Sequence, residues 1–274
     1  LGEGFCEAPV NGGPPLTSSE LLTRGIARFE EGMAVATAGR SADDTAATNL
    51  ISMAHVGAAR ALLQRGDLAS ARAHATLVPE GYERWAYYSS NSVPEYNPVQ
   101  LAVKASGPFA GMQPVFQRLD DPRVPQPAAT RTGVGGNPIF VPLKPSMYSG
   151  WSASGASVID VATHMRFASG LEARYIRVEA EGPGAAMLSF VNARRAAGGR
   201  PPANLAGAAL VAELRAQRAL DFYLTGHRLG DLRRYAASGT DLFPSGRFPV
   251  PPDEYGAMHC FIIPRGEKAG NPNF

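Results

Sequence analysis

The sequence predicts a mainly α-helical fold in which helical hairpins carry one long, loop-rich insert. Three observations lead there. Apolar residues recur at helical spacing within 17–78 and again within 157–237. A Gly-Asp step at 66–67 joins two of these helical stretches. Many of the 30 glycines and 23 prolines lie between 79 and 157 and after 238, where they break any regular pattern. The 274 residues, 45% of them hydrophobic, can bury a sizeable core. A single domain over 1–274 is expected, with a helical scaffold at 17–78 and 157–237, an insert at 79–156 and a tail at 238–274.

Each element has a local reason. In 17–38 an N-cap is available from Thr17, Ser18 or Ser19, and Glu20 complements the dipole in the first turn. Leu22, Ile26, Phe29 and Met33 follow at helical spacing, and Gly39 ends the run. In 43–65 the stripe is Leu50, Ala54, Gly57, Ala58, Ala61 and Leu62, whose small members admit a close neighbour. Gly66 suits a left-handed cap, and Asp67 can start the next helix, "LASARAHATLV". This alanine-rich joint resembles a tetratricopeptide repeat. A second helical pair is expected at 157–197, carrying Ile159, Met165, Leu171, Tyr175 and Val178 before "AAMLSFVNARRAAGG", with the first helix starting by Met165. A further helix around 207–225 follows. In the insert, isolated strands are expected near 84–88 and 139–143, and "CFIIP" in the tail reads as a short strand or extended segment.

Composition removes several functions. Net charge is +2 with scattered cations, so no basic stripe offers a nucleic-acid footprint. No apolar run is long enough for a bilayer, and no signal peptide is visible. The opening "LGEGFC" reads as the start of a fragment of something longer. Cys6 and Cys260 can pair in an oxidising compartment or stand as two buried thiols. The histidines at 55, 74, 164, 227 and 259 lie too far apart for a local metal motif, and no cofactor is implied.

The stretch "LDFYLTGHRLGDLRRY" (220–235) gathers His227, two aspartates and several arginines around two glycines. Leu214, Arg218, Asp221 and Phe222 share a helical face. Gly226 can break the helix with a positive φ. On the short helix beyond, Asp231 is three residues from both Arg228 and Arg234. A carboxylate among guanidiniums stays ionised and makes a poor general base. The stretch therefore reads as a buried ion-pair joint, with Gly226, His227, Arg228, Asp231 and Arg233 in structural roles. "SGWSASG" (149–155) misses a nucleophile elbow by one place, and "TGVGGNP" (132–138) has no lysine for a phosphate loop. Glu179, Glu181, Asp120 and Asp121 read as surface carboxylates. No acid–base pair stands out among them.

The insert's aromatics differ in kind. Trp85, Tyr87, Tyr88, Tyr96 and Trp151 lie beside Asn91, Asn97 and several serines. Flat rings with neutral hydrogen-bonding side chains suit a sugar. The same rings can instead pack loops onto helices. Trp85, Tyr87, Tyr88, Asn91 and Trp151 are the expected ligand-binding set.

Three stretches, in order, resemble the SusD/RagB family of outer-membrane nutrient-binding lipoproteins. They are "GFCEAPVNGGPPLTSSELL", "RAQRALDFYLTGHRLGDLRRY" and the ending "FIIPRGEKAGNPNF". The family often has Glu where this chain has Gln217, Asp221 and Thr225, and a bulky aromatic at Gly230. The resemblance implies an α/α superhelix of tetratricopeptide-like pairs with an elaborated loop region. It also implies non-catalytic capture of an oligosaccharide, or of a peptide, at the cell-surface side of the outer membrane. The solute would pass to a TonB-dependent, SusC-like transporter, and membrane contact would come through a lipid anchor not present in this chain. The competing expectation is a tetratricopeptide-like scaffold that binds another protein.

Overall fold

The structure, a computed structural model, describes residues 14, 16–41, 44–104, 108, 110–152, 157–247, 254–257, 259 and 269–270. Cys6, Cys260 and the "CFIIP" segment lie outside the described residues. The chain is mainly helical. It divides into two units, one drawn from Leu1–Tyr82, Gly170–Ala180 and Leu229–Phe274, the other from Glu83–Ser169 and Glu181–Arg228.

The first unit begins with helix α1, Ser18–Ala38. Thr17 is its N-cap: its hydroxyl accepts the Glu20 N–H at 3.2 Å, while the Glu20 carboxylate accepts the Thr17 N–H at 2.7 Å. These bonds, the Thr17 N–H first, hold the Glu20 carboxyl below its usual range. Helix α2, Thr45–Arg65, starts on Asp44, which accepts from the Ala47 N–H at 2.9 Å. A Cβ at Gly57 would fall within the Phe29 ring, so glycine is what lets α1 and α2 meet there. Gly66 (φ 85°) closes α2, and Asp67 accepts the Ser70 N–H at 3.1 Å to open α3, Leu68–Thr76. Ala58, Ala59, Ala71 and Ala75 are buried, four of the small residues that let α2 and α3 nest.

Leu50 departs from the expected stripe and is 44% exposed. Helix α2 has neighbours on more than one side, so its buried set widens to Val56, Ala59 and Leu63 rather than running along one line. Helix α5, Gly170–Glu181, supplies one neighbour. Its Glu172 has no exposure and takes a bidentate pair from Arg60 of α2, at 2.6 and 2.7 Å. Helix α8, His227–Ala237, adds Arg234, which donates to Glu179 at 3.0 and 3.1 Å and to Asp231 at 2.8 Å. Glu179 is thus a structural partner and not a free surface carboxylate.

The second unit holds the insert. Strand β1, Glu83–Ala86, pairs antiparallel with β4, Met165–Ser169, with an irregularity between Arg84 and Trp85. Strands β2, Arg131–Thr132, and β3, Pro138–Ile139, form a short hairpin. The helix expected to start by Met165 begins only at Gly170: 157–164 is irregular and 165–169 is a strand. The backbone explains this, because β4 is paired on both edges. Beyond β1, the Arg166 N–H donates to the Met147 carbonyl and the Ser149 N–H to the His164 carbonyl, each at 2.9 Å. Helix α6, Ala185–Ala197, packs on α7, Gly207–Asp221, so the later hairpin is formed by these two. Asn192 ties their connection through both directions of bonding with Ala203, at 2.9 and 3.1 Å.

The insert is fastened by charge. Arg123, 1% exposed, donates to Asp121 at 2.9 and 2.7 Å, to Asp221 of α7 at 3.1 Å and to Gln217 at 2.8 Å. Arg194 of α6 adds a bidentate pair to Asp221 at 2.8 and 2.6 Å. Asp121 is buried, the reverse of the surface position expected of it. A Cβ at Gly198 would lie 2.5 Å from the Asp121 carboxylate and 2.6 Å from the Arg123 guanidinium, so the end of α6 must be bare to fit. Next to the cluster, Met112, Phe116, Val124 and Tyr223 form an apolar core.

Two measurements check this account. Asp221→Ala should cost about 3–5 kcal/mol, because it withdraws a carboxylate from two guanidiniums. Asp231→Ala should cost less, about 1–3 kcal/mol, because Arg234 keeps Glu179. Denaturant melts of the two variants should rank them in that order. Gly57→Ala should cost about 1–3 kcal/mol by overpacking, and adding Phe29→Leu should recover part of it in the same melt.

Candidate functional site

The most site-like surface is one face of the β1–β4 ribbon. Trp85 lies on β1, and Tyr87 follows one residue beyond the strand's end. Trp85 pairs across the ladder with Arg166, and Tyr87 touches His164, the residue before β4. The Arg166 guanidinium lies 4.8 Å from the centre of the Trp85 ring, and the Tyr87 and His164 rings meet edge-on at 5.1 Å. Tyr87 is 71% exposed, and Trp85 is half-buried. The patch therefore offers two ring surfaces flanked by two nitrogen donors.

Each donor is oriented. The Tyr88 N–H donates to His164 Nδ1 at 3.1 Å, which leaves the neutral ring's proton on Nε2. Arg166 is held by Glu83 at 2.8 Å and reaches the Met147 sulfur at 3.5 Å. Burial pushes the Arg166 guanidinium below its usual range, and Glu83 partly offsets this. The floor is also fixed: the buried Tyr148 hydroxyl donates to the Leu224 carbonyl at 2.8 Å. Burial, then the neighbouring Tyr88 and Tyr223, pushes the Tyr148 phenol up, so it stays a neutral donor.

The expected ligand set separates on inspection. Trp85 and Tyr87 stand together. Tyr88, one residue on, belongs to the alternate side and is half-buried. Asn91 is exposed in the following loop, where its own N–H bonds the Ser89 hydroxyl at 3.0 Å. Trp151 is half-buried and its indole N–H donates to the Pro122 carbonyl at 3.0 Å, which makes it a loop anchor. Asn97, 1% exposed, caps helix α4 (Pro98–Val103) and bonds the Thr163 carbonyl at 2.7 Å. His164 and Arg166 were not expected here. Their contribution depends on the strand at 165–169, whose partner at 83–86 is far away in sequence.

The stretch 220–235 runs from the end of α7 through Gly226 into α8. Gly226 takes φ 84° and ends the turn after α7. His227 Nδ1 lies 2.7 Å from the Thr225 hydroxyl, which itself donates to the Phe222 carbonyl at 2.7 Å. His227 also stacks on Phe222 at 4.8 Å, and Arg228 lies 5.8 Å from the Phe116 ring centre. Arg233 reaches the Ser18 hydroxyl at 3.4 Å. Asp221 and Asp231 each have guanidinium partners, Arg194 and Arg234.

A concavity lies between α1 and α2. It measures about 530 Å³ and is lined by Phe29, Gly32, Val35, Leu50 and Met53 among others. No helix among the described residues is long and apolar enough to cross a membrane, and none of them forms a group of three metal-ligating side chains. Comparison with known proteins finds no matching family model, curated protein or solved structure.

Trp151→Phe removes one indole hydrogen bond and should lower stability by about 1 kcal/mol in a thermal melt. Tyr87→Ala, on an exposed ring, should change it by no more than about 0.5 kcal/mol.

Proposed function

We propose that the chain captures a soluble oligosaccharide without turning it over, using the ribbon face of Trp85, Tyr87, His164 and Arg166. The observation that carries this reading is the meeting of two rings with two oriented donors at one end of the β1–β4 ribbon, Trp85 with Arg166 and the exposed Tyr87 with His164. Rings present flat apolar area at low entropic cost, and the donors suit hydroxyl or carbonyl oxygens. The resemblance of 220–235 and of the C-terminal ending to the SusD/RagB family supports the same reading. It adds a setting on the outer face of the outer membrane, beside a TonB-dependent transporter, with a peptide as the other ligand class.

A second reading keeps a specific observation of its own. The α1–α2 cleft is apolar, and Val35 and Leu50 on its wall are 69% and 44% exposed. A protein-binding helical scaffold would use that cleft and not the ribbon. A glycan array and a peptide library, each probed with the wild-type chain, separate the ligand classes. Trp85→Ala with Tyr87→Ala should weaken glycan binding about 30-fold or more, the scale of a binding hot spot. Leu50→Asp should leave that binding unchanged. The opposite pattern would favour the scaffold.

A further inference from the structure

Helices α2 and α3 bring together two histidines that lie 19 residues apart in sequence. The Nδ1 atoms of His55 and His74 are 3.0 Å apart, with ring centres at 5.2 Å and planes inclined by 53°. Neither imidazole makes another hydrogen bond among the described residues. Both rings are half-buried, so one side of the pair is packed and the other meets solvent. As neutral rings, one Nδ1 donates and the other accepts. Moving that single proton to the far nitrogen leaves two Nδ1 lone pairs facing each other, and a turn of each ring about its Cβ–Cγ bond aims both at one ion.

That separation has a chemical meaning. Two imidazole nitrogens, each about 2.0–2.1 Å from one metal ion, stand about 2.9 Å apart at adjacent corners of a tetragonal site and about 3.3 Å apart in a tetrahedral one. The observed spacing falls between them. We propose that His55 and His74 form a two-imidazole chelate for a divalent transition metal ion, Cu²⁺, Ni²⁺ or Zn²⁺, with water at the remaining positions. The scaffold favours this. The Gly66–Asp67 turn and the buried Ala58, Ala59, Ala71 and Ala75 fix the two helices, so little backbone freedom is lost on chelation. With no third acidic, thiol or imidazole ligand among the described residues, the site stays open and exchangeable. Cu²⁺ should bind more tightly than Ni²⁺ or Zn²⁺, as nitrogen sites generally rank these ions. The ribbon face plays no part in this site.

The test is a titration of the whole chain with Cu²⁺, Ni²⁺ and Zn²⁺ against a chromophoric chelator, beside His55→Ala, His74→Ala and a His259→Ala control. One ion should bind per chain, and each single substitution at 55 or 74 should weaken it about 100-fold by ending chelation. The control should bind like wild type. Because a packed histidine can matter for folding, ring ¹⁵N spectra of the wild-type chain provide a second readout, in which Zn²⁺ should move the His55 and His74 Nδ1 signals and no other imidazole. Binding that survives either substitution, a wild-type chain that takes up no ion, or zinc shifts on other histidines would each overturn the assignment.

Discussion

The buried contact between Arg123 and Asp221 is the constraint on which the second unit depends. A segment rich in proline and glycine has little periodic apolar surface with which to attach itself to a helix. Here the attachment is a guanidinium, 1% exposed, that enters from the insert and meets carboxylates at 121 and 221 together with Gln217. Such a cluster is costly to desolvate and tolerable only when nearly every donor finds an acceptor. That requirement gives it direction. Apolar packing would accept a loop in several poses, whereas a planar fork with fixed bonds accepts very few. Trp151 is fastened to the carbonyl of Pro122, which lies between Asp121 and Arg123 in the chain, so the order imposed by Arg123 extends toward the ribbon.

The first unit reaches order differently. Its helices meet through small residues: glycine at 57 against Phe29, alanines between α2 and α3. Close approach of backbones multiplies weak dispersion contacts and leaves little room for alternatives. Charge then fixes orientation, with Arg60 clasping the unexposed Glu172 and Arg234 shared by Glu179 and Asp231. The guanidinium is the common device of both units, and its five donors in one plane are what lysine could not supply.

Local chemistry was legible in the sequence, and partners across long separations were not. Thr17 with Glu20, Gly66, Asp67 and Gly226 declare caps and breaks within a few residues, and each stands where the pattern put it. The strand near 84–88 was readable from its aromatic and extended character. Its partner was not, because Met165 reads with Ile159, Leu171, Tyr175 and Val178 as one helical run until the ladder with 83–86 is known. The same blindness hid Asp121, whose burial is decided by an arginine two residues on and an aspartate 98 residues from that arginine. It also hid His164 and Arg166. Half of the ribbon face, the rings, could be read from composition, while the donors beside them follow from register.

That register carries an irregularity whose effect reaches beyond the backbone. Glu83 and Arg84 face Ser169 and Ala168, but Trp85 faces Arg166, so Phe167 is passed over. In an unbroken ladder the indole would have met a phenyl ring, closing an oily contact with nothing to offer a polar guest. The one-residue slip sets a cation there instead. The chemical character of this surface is therefore written in strand length as much as in side-chain identity, and divergent chains could gain or lose it by a single insertion without altering any ring.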